Sequence, residues 1–93
     1  MKQLPDTVTR YSETPEFTAE TLPAKLRGLH DTKAGVWGRI ELSAGQVTYV
    51  IEPQNGAIET HQLTPDHPGI VEPAVPHRVS LSADARMRVG FYR

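Results

Sequence analysis

The sequence predicts an all-β domain, and three observations lead to that prediction. Eight prolines and seven glycines interrupt the 93 residues at short intervals, which leaves little room for long helices. Apolar and polar residues alternate in several segments with the period of two that is typical of a half-buried strand. The segments recur about every 8–12 residues, so we expect about six or seven short strands, as in a β-sandwich or barrel.

Composition limits the chain to one small domain and excludes several classes of function. Hydrophobic residues make up 38% of the sequence, which is enough for one core. Ten Lys and Arg residues face eleven Asp and Glu residues, so no basic excess exists to neutralise a run of phosphates, and a dedicated nucleic-acid binder is excluded. Cysteine is absent, which excludes a disulfide framework, thiol chemistry and a cysteine-based zinc site.

No segment of the sequence indicates a membrane or a secretory route. The longest apolar run is only a few residues, far short of the ~20 that span a bilayer. Met1–Asp6 has no apolar segment behind Lys2, so it does not resemble a secretory signal. We therefore predict no membrane partner and a cytoplasmic location.

The chain divides at Pro23 into a predicted N-terminal arm, residues 1–23, and a predicted barrel, residues 24–93. The arm is polar and irregular, and Thr14 could cap a single helical turn with Pro15 at its first position. The barrel is expected to begin with a short strand over Lys25–Asp31.

Alternation predicts the remaining strands. Val36–Ser43 and Gln46–Glu52 each alternate, and the turn between them around Gly45 predicts a tight hairpin. Pro53–Gly56 forms the next turn, so Ala57–Leu63 becomes a further hairpin arm. After a rigid loop, the last predicted strands are Ile70–Glu72, His77–Leu81 and Met87–Tyr92.

The four histidines are the only soft metal ligands in the sequence. His30 lies near the end of an early strand and His77 opens a late one. Early and late strands can be neighbours in a barrel, so the two imidazoles could point into one cavity. The alternative is that each is a surface or singly hydrogen-bonded histidine. We interpret His61 and His67 as solvated residues.

One carboxylate could complete a metal site with the two imidazoles. Glu72 precedes Pro73, which holds it extended, and it lies shortly before His77. An inward Glu72 would leave an open coordination position for water or a ligand. A surface glutamate at a strand end is the alternative interpretation.

Other residues are candidates for lining a ligand pocket. Trp37 lies among glycines and could line a pocket mouth, form a dimer contact or belong to the core. Lys33 could orient an anionic ligand or extend into solvent. Tyr92 alternates with Phe91, so one of the two faces the core and the other a cavity or partner. No nucleophile elbow, phosphate loop or dinucleotide fingerprint occurs.

Two blocks of the sequence, His30–Gly38 and Pro73–Val79, are fairly specific in combination. With further matches over about nine-tenths of the chain, they resemble the small stand-alone cupin domains of the tellurite-resistance TehB/YeaR-like family. The resemblance implies a jelly roll, the double-stranded β-helix, with a divalent metal inside. It also implies an association with tellurite and oxidative stress, and in some relatives a fusion to a methyltransferase.

The resemblance also implies positions for the metal ligands. His30 matches the first cupin histidine and His77 the late one. Thr32 takes the place of the second histidine, and the glutamate position falls near Gly38, so the general ligand set is incomplete. The remaining site would consist of His30 and His77, with Glu72 and water, and Thr32 would join the ligand pocket.

From these observations the sequence predicts a metal-binding cupin that holds zinc, iron or nickel and a small anionic ligand. A metal-dependent oxygenase or isomerase and a non-catalytic dimeric interaction module are the alternatives. A homodimer is expected, because a domain this small gains by burying further apolar area.

Overall fold

The computed structural model describes residues 1–93, which form seven β-strands and one four-residue helix. The elements are β1 (Arg10–Glu13), α1 (Ala24–Arg27), β2 (Trp37–Ala44), β3 (Val47–Ile51), β4 (Glu59–Leu63), β5 (Gly69–Val71), β6 (His77–Leu81) and β7 (Arg86–Tyr92). The prediction of an all-β single domain is confirmed. The single helix is too short to cross a membrane. The finer prediction of a cupin jelly roll is not confirmed by this topology.

The strands form two antiparallel sheets. One sheet has the order β1-β7-β2-β5 and the other the order β4-β3-β6. In the larger sheet, β2 and β7 pair from Trp37 opposite Tyr92 to Ala44 opposite Arg86. This long pairing fixes which side chains of both strands point inward, because side chains alternate along a strand.

The core lies between the sheets and is built from the inward-facing residues. Its largest fully buried side chains are Tyr49, Ile40, Leu63, Met87 and Val47. The Tyr49 hydroxyl donates a hydrogen bond to the Ile70 carbonyl oxygen at 2.9 Å, which ties the smaller sheet to β5. Burial raises the pKa of Tyr49 far above its ordinary value, so the phenol stays protonated and keeps this bond.

The predicted hairpin between Val36–Ser43 and Gln46–Glu52 is wrong. β2 pairs with β5 and β7, whereas β3 pairs with β4 and β6, so the turn at Gly45 carries the chain from one sheet to the other. Gly45 has a φ of 72°, and a Cβ there would lie 2.5 Å from the Ala85 Cα. The turn is therefore a tight corner that only glycine fits. The second predicted hairpin is confirmed as β3 and β4.

The N-terminal part differs from the local predictions in two places. No helical turn forms at Thr14, whose amide instead donates to the Val89 carbonyl oxygen at 2.9 Å, and β1 pairs with β7. The strand expected over Lys25–Asp31 begins as the helix α1. Ala24–Arg27 consists entirely of good helix formers. Their helix preference outweighs the brief alternation of apolar and polar residues that predicted a strand. The division into an arm, 1–23, and a barrel, 24–93, stays a prediction.

Candidate ligand-binding cavity

A cavity of about 490 Å³ opens between the two sheets. Its walls are apolar and come from both sheets: Ile40, Val71, Val79, Met87, Val89 and Phe91. Its polar groups come from β1 and the residue after it, from α1, from the loop before β2 and from the start of β6: Tyr11, Thr14, Lys25, His30, Asp31, Thr32, Lys33 and His77. The cavity therefore combines an apolar body with a small set of polar groups, as small-molecule sites do.

The structure brings His30 and His77 together in this cavity. The His30 amide donates to the His77 carbonyl oxygen at 2.9 Å, and the His77 amide donates back to the His30 carbonyl oxygen at 2.8 Å. The ring centroids lie 4.2 Å apart with an interplanar angle of 62°. The loop that carries His30 is thus attached to the outer edge of β6 by backbone bonds that set the ring positions.

Each imidazole has its protonation pattern set by a backbone carbonyl. His30 Nδ1 lies 3.0 Å from the Gly28 carbonyl oxygen, and His77 Nδ1 lies 2.9 Å from that of Val75. A carbonyl can only accept a hydrogen bond, so Nδ1 is the nitrogen that carries the proton in the neutral form of each ring. The other nitrogen of each ring, Nε2, is then a hydrogen-bond acceptor.

Burial keeps His77 neutral. The residue is only 4% exposed, and desolvation lowers its pKa, with the nearby His30 acting in the same direction. The hydrogen bond to Val75 and the charge of Asp31 act in the opposite direction. The net direction is downward, so the acceptor form of His77 predominates at neutral pH.

Thr32 holds the loop at the cavity. Its hydroxyl donates to the Val36 carbonyl oxygen at 3.0 Å, and its carbonyl oxygen accepts from the Ala74 amide at 3.1 Å. Because the hydroxyl proton is used by Val36, the Thr32 oxygen can still accept a bond. Asp31 and Lys33 flank Thr32 in the same loop, and both are exposed at the rim of the cavity.

Trp37 and Tyr92 lie on the outer face of the larger sheet, away from the cavity. They are direct partners across β2 and β7. The Tyr92 hydroxyl accepts from Arg10 Nη1 at 3.4 Å. Of the four predicted pocket residues, the structure places Thr32 and Lys33 at the cavity.

Sequence reasoning missed several lining residues. Phe91 lines the cavity because it is in phase along β7 with the buried Met87, and that alternation was a signal that could have identified it. Lys25 and Leu26 were missed because they were assigned to a strand, whereas α1 places them against the cavity.

The predicted metal site of His30, His77 and Glu72 is wrong. Glu72 follows the buried Val71, so alternation turns its side chain away from the cavity, and its carboxylate lies 3.7 Å from Lys2 Nζ. No three side chains of the metal-binding types come together anywhere in the structure. The donor set for zinc, iron or nickel that the sequence predicted does not form, and a tetrahedral site needs more protein ligands than two imidazoles.

The other two histidines belong to the surface. His61 Nε2 lies 3.2 Å from Glu59 Oε1 on β4. His67 is exposed and closes a turn through paired backbone bonds with Thr64, at 3.0 and 3.3 Å.

Comparison with known proteins identifies the family. A family model described as the TehB-like domain matches residues 12–89. The chain belongs to the TehB-like family. The predicted family is thereby confirmed.

Curated relatives of this TehB-like chain come from Haemophilus influenzae. Proteins named "Probable S-adenosyl-L-methionine-dependent methyltransferase TehB" from strain 10810 and from strain ATCC 51907 are 35% and 36% identical over 85 residues. Each match covers 88% of this chain and 30% of the relative. The TehB-like chain therefore spans less than a third of the length of these relatives.

Solved structures share the fold. The crystal structure of TehB from Haemophilus influenzae superposes with a TM-score of 0.83 at 32% identity, covering 94% of this chain and 32% of that one. A crystal structure of an Escherichia coli K12 protein superposes with a TM-score of 0.88 at 21% identity, covering 100% of this chain and 97% of that one. The second likeness concerns the fold alone.

These findings correct the predicted function. The TehB relatives are named for S-adenosylmethionine-dependent methyl transfer and not for metal binding. The metal-binding cupin and its transition-metal cofactor were therefore wrong, and with them the alternative of a metal-dependent enzyme. The error arose because two converging histidines were interpreted as ligands, whereas their rings meet edge to face at a backbone bridge.

Proposed function

We propose that this TehB-like domain binds a small organic molecule that bears a hydroxyl or an uncharged amine on an apolar body, and that this molecule is a methyl acceptor. The observation that supports the proposal is the composition of the cavity. Apolar walls enclose about 490 Å³, and the polar groups are few. A volume in this range suits a small organic ligand.

The acceptors at the polar end select the head group of the ligand. Nε2 of His30, Nε2 of His77 and the hydroxyl oxygen of Thr32 are all able to accept hydrogen bonds. The proton on Nδ1 of each ring and the hydroxyl proton of Thr32 are already donated, to the carbonyl oxygens of Gly28, Val75 and Val36 respectively. A hydroxyl or amine donates to such groups. An aliphatic or aromatic body would then contact the walls formed by β7 and β2, and its burial contributes about 25 cal/mol per Å².

We assign the ligand as a methyl acceptor because the relatives are named as probable S-adenosylmethionine-dependent methyltransferases. S-adenosylmethionine, which supplies the methyl group, carries a net positive charge. The rim of the cavity has Lys25 and Lys33 against Asp31, so a cation meets net repulsion there. This rim charge disfavours the methyl donor in the cavity. Hydroxyl and amine compounds are the nucleophiles that accept methyl groups, so the proposal gives the cavity to the acceptor.

A titration followed by ¹H–¹⁵N NMR tests this proposal with three probes: phenol, anisole and S-adenosylmethionine. Phenol should shift the amides of Val36, His77 and Val89. Anisole has the same ring with a methylated oxygen, so it leaves the acceptors unpaired and should bind about tenfold more weakly. S-adenosylmethionine should leave these amides unshifted. Equal affinity for phenol and anisole, or saturation by S-adenosylmethionine, would contradict the proposal.

A cavity-filling variant provides the matched control. Val36→Trp places an indole at the half-buried rim of the cavity and should abolish the phenol shifts. Ile58→Trp adds the same indole at a residue that is 64% exposed and does not line the cavity, so it should leave phenol binding unchanged. If both variants bound phenol as the parent chain does, the ligand would lie elsewhere.

Three further sequence predictions accompany this proposal without supporting it. The homodimer is checked by size-exclusion chromatography with light scattering. The arm of residues 1–23 and the barrel of residues 24–93 are checked by limited proteolysis, which should cleave near residue 23 first. The cytoplasmic location is checked by fractionation. Ligand binding in the cavity does not depend on any of them, nor on the cupin classification.

A further inference from the structure

A second concavity, of about 310 Å³, lies beside β6 on the side of the arm. Its polar side chains are Arg27, Arg78 and Ser80, and Leu22 and Val79 form its apolar floor. It shares only Val79 with the cavity between the sheets. We call this second concavity the arginine cleft.

The two arginines reach the cleft from different elements, and each is held by one contact. Arg27, at the end of α1, donates from Nη2 to the Ala19 carbonyl oxygen at 2.6 Å. Arg78, on β6, donates from Nε to Glu52 Oε2 at 3.2 Å. A guanidinium has several N–H donors in a fixed fork, so most donors of both residues stay free.

Ser80 and the edge of β6 add further donors. Ser80 follows Arg78 by two residues and is exposed with it, while Val79 between them is buried, so Arg78 and Ser80 share one face of the strand. The Ser80 hydroxyl has no partner within the chain. His77 bonds to His30 on the edge of β6 that has no neighbouring strand, and the Val79 amide, two residues on, points to the same edge.

The charge of the arginine cleft favours an anion. Two guanidinium groups face it, and one of them contacts a single carboxylate, that of Glu52. The cleft is lined by two guanidinium groups, the Ser80 hydroxyl and the Val79 amide, which come from different elements. Donors arranged in this way suit an anion that has several oxygen atoms.

We propose that the arginine cleft binds the phosphate group of a small molecule. Guanidinium forks bind phosphate oxygens in pairs, and the Ser80 hydroxyl and Val79 amide complete the set of donors. This site is independent of the methyl-acceptor proposal. A failed phenol titration would leave it intact.

Titration with inorganic phosphate at low ionic strength, against chloride at matched ionic strength, tests the proposal. Phosphate should shift the Val79 and Ser80 amides and the side-chain Nε–H signals of Arg27 and Arg78. Acetate, which has only a planar pair of oxygens, should bind about tenfold more weakly. An absence of these shifts with phosphate, or equal shifts with chloride, overturns the proposal.

Substitutions separate a binding role from a structural one. Ser80→Asp adds a negative charge at an exposed position and should weaken phosphate binding about tenfold or more without changing the melting temperature. Ser12→Asp adds the same charge at an exposed position of β1, in the other sheet, and should leave binding unchanged. If Ser80→Asp and Ser12→Asp weakened phosphate binding equally, the effect would come from the net charge of the protein, and the cleft would not be the site.

Arginine variants complete the test. Arg78→Gln should weaken phosphate binding about tenfold, because one fork is lost. Arg86→Gln removes an exposed arginine that pairs with Glu16 on the larger sheet, and it should have no effect. If Arg78→Gln bound phosphate as tightly as Arg86→Gln, the cleft would not be the site.

Discussion

The two faces of the larger sheet carry different residue types and differ in how their polar groups are paired. On the outer face, charged groups neutralise one another: Arg10 bonds to both oxygens of Glu41 at 3.1–3.2 Å, and Arg88 bonds to Glu13 at 3.0 Å. On the inner face the wall is apolar, and the imidazoles that border the cavity, from the loop before β2 and from β6 of the other sheet, keep a free nitrogen each. The outer charges pair with neighbours within the chain, with only Arg10 Nε and Arg39 Nε lacking a hydrogen bond, whereas the inner acceptors are available to a ligand.

This comparison explains why residue type alone misleads about function. Trp37 and Tyr92 are the residues that attract notice in the sequence, yet both lie on the committed outer face. Val89 attracts none and Phe91 was noted only through its alternation with Tyr92, yet both line the wall. What distinguishes a binding surface is unpaired polar groups beside apolar area, and pairing is a property of the fold.

The largest expected difference between the faces concerns stability. Met87 is 2% exposed and packs in the core, so Met87→Ala should lower the free energy of unfolding by about 2–5 kcal/mol through lost burial and a cavity. Arg88, the next residue, points outward and forms an exposed ion pair, so Arg88→Ala should cost about 1 kcal/mol or less. Chemical denaturation measures both. Similar losses in the two variants would mean that the outer ion pairs stabilise the sheet as much as the core does.

The second difference is in pH dependence and centres on His77. Burial lowers the pKa of His77 in the folded state below its ordinary value of about 6.5. The unfolded chain therefore takes up a proton before the folded chain does, and stability is full above about pH 6.5 and falls as the pH drops toward the lower folded pKa. Denaturation curves at about pH 7.5 and pH 5.5 should show this loss.

Variants assign that loss to the buried ring. The charged or titratable groups that face His77 are His30, Asp31 and Tyr49. His77→Gln should reduce the pH dependence of stability between the two conditions, and His67→Gln, at an exposed turn, should leave it as in the parent chain. An unchanged slope in His77→Gln would place the titration on another group.

The sequence predicted the strands better than it predicted their partners. Alternation identified β2, β3, β6 and β7 because it reports burial of one face, which is a local property. It did not distinguish a hairpin from a corner, because Gly45 supplies a positive φ for either. The partner of a strand depends on contacts distant along the chain, which no local pattern contains.

The same limit applies to the candidate site. His30 and His77 were expected in one cavity from topology, and the structure brings their rings there. Glu72 was misplaced because β5 ends at Val71, so the residue after it turns outward. The acceptor state of the two rings could not be predicted, because it depends on the carbonyls of Gly28 and Val75.

The smallest expected effect is on the outer face, where Gly90 makes room for Arg10. A Cβ at Gly90 would lie 2.5 Å from the Arg10 guanidinium carbon, so Gly90→Ala must push that side chain away from Glu41. Because a flexible side chain yields more readily than backbone, we expect a loss of about 1 kcal/mol in the free energy of unfolding. In an Arg10→Ala background the clash is absent, so the same substitution should cost much less. A double-mutant cycle measures this coupling, and additive losses would show that Arg10 does not need the space above Gly90.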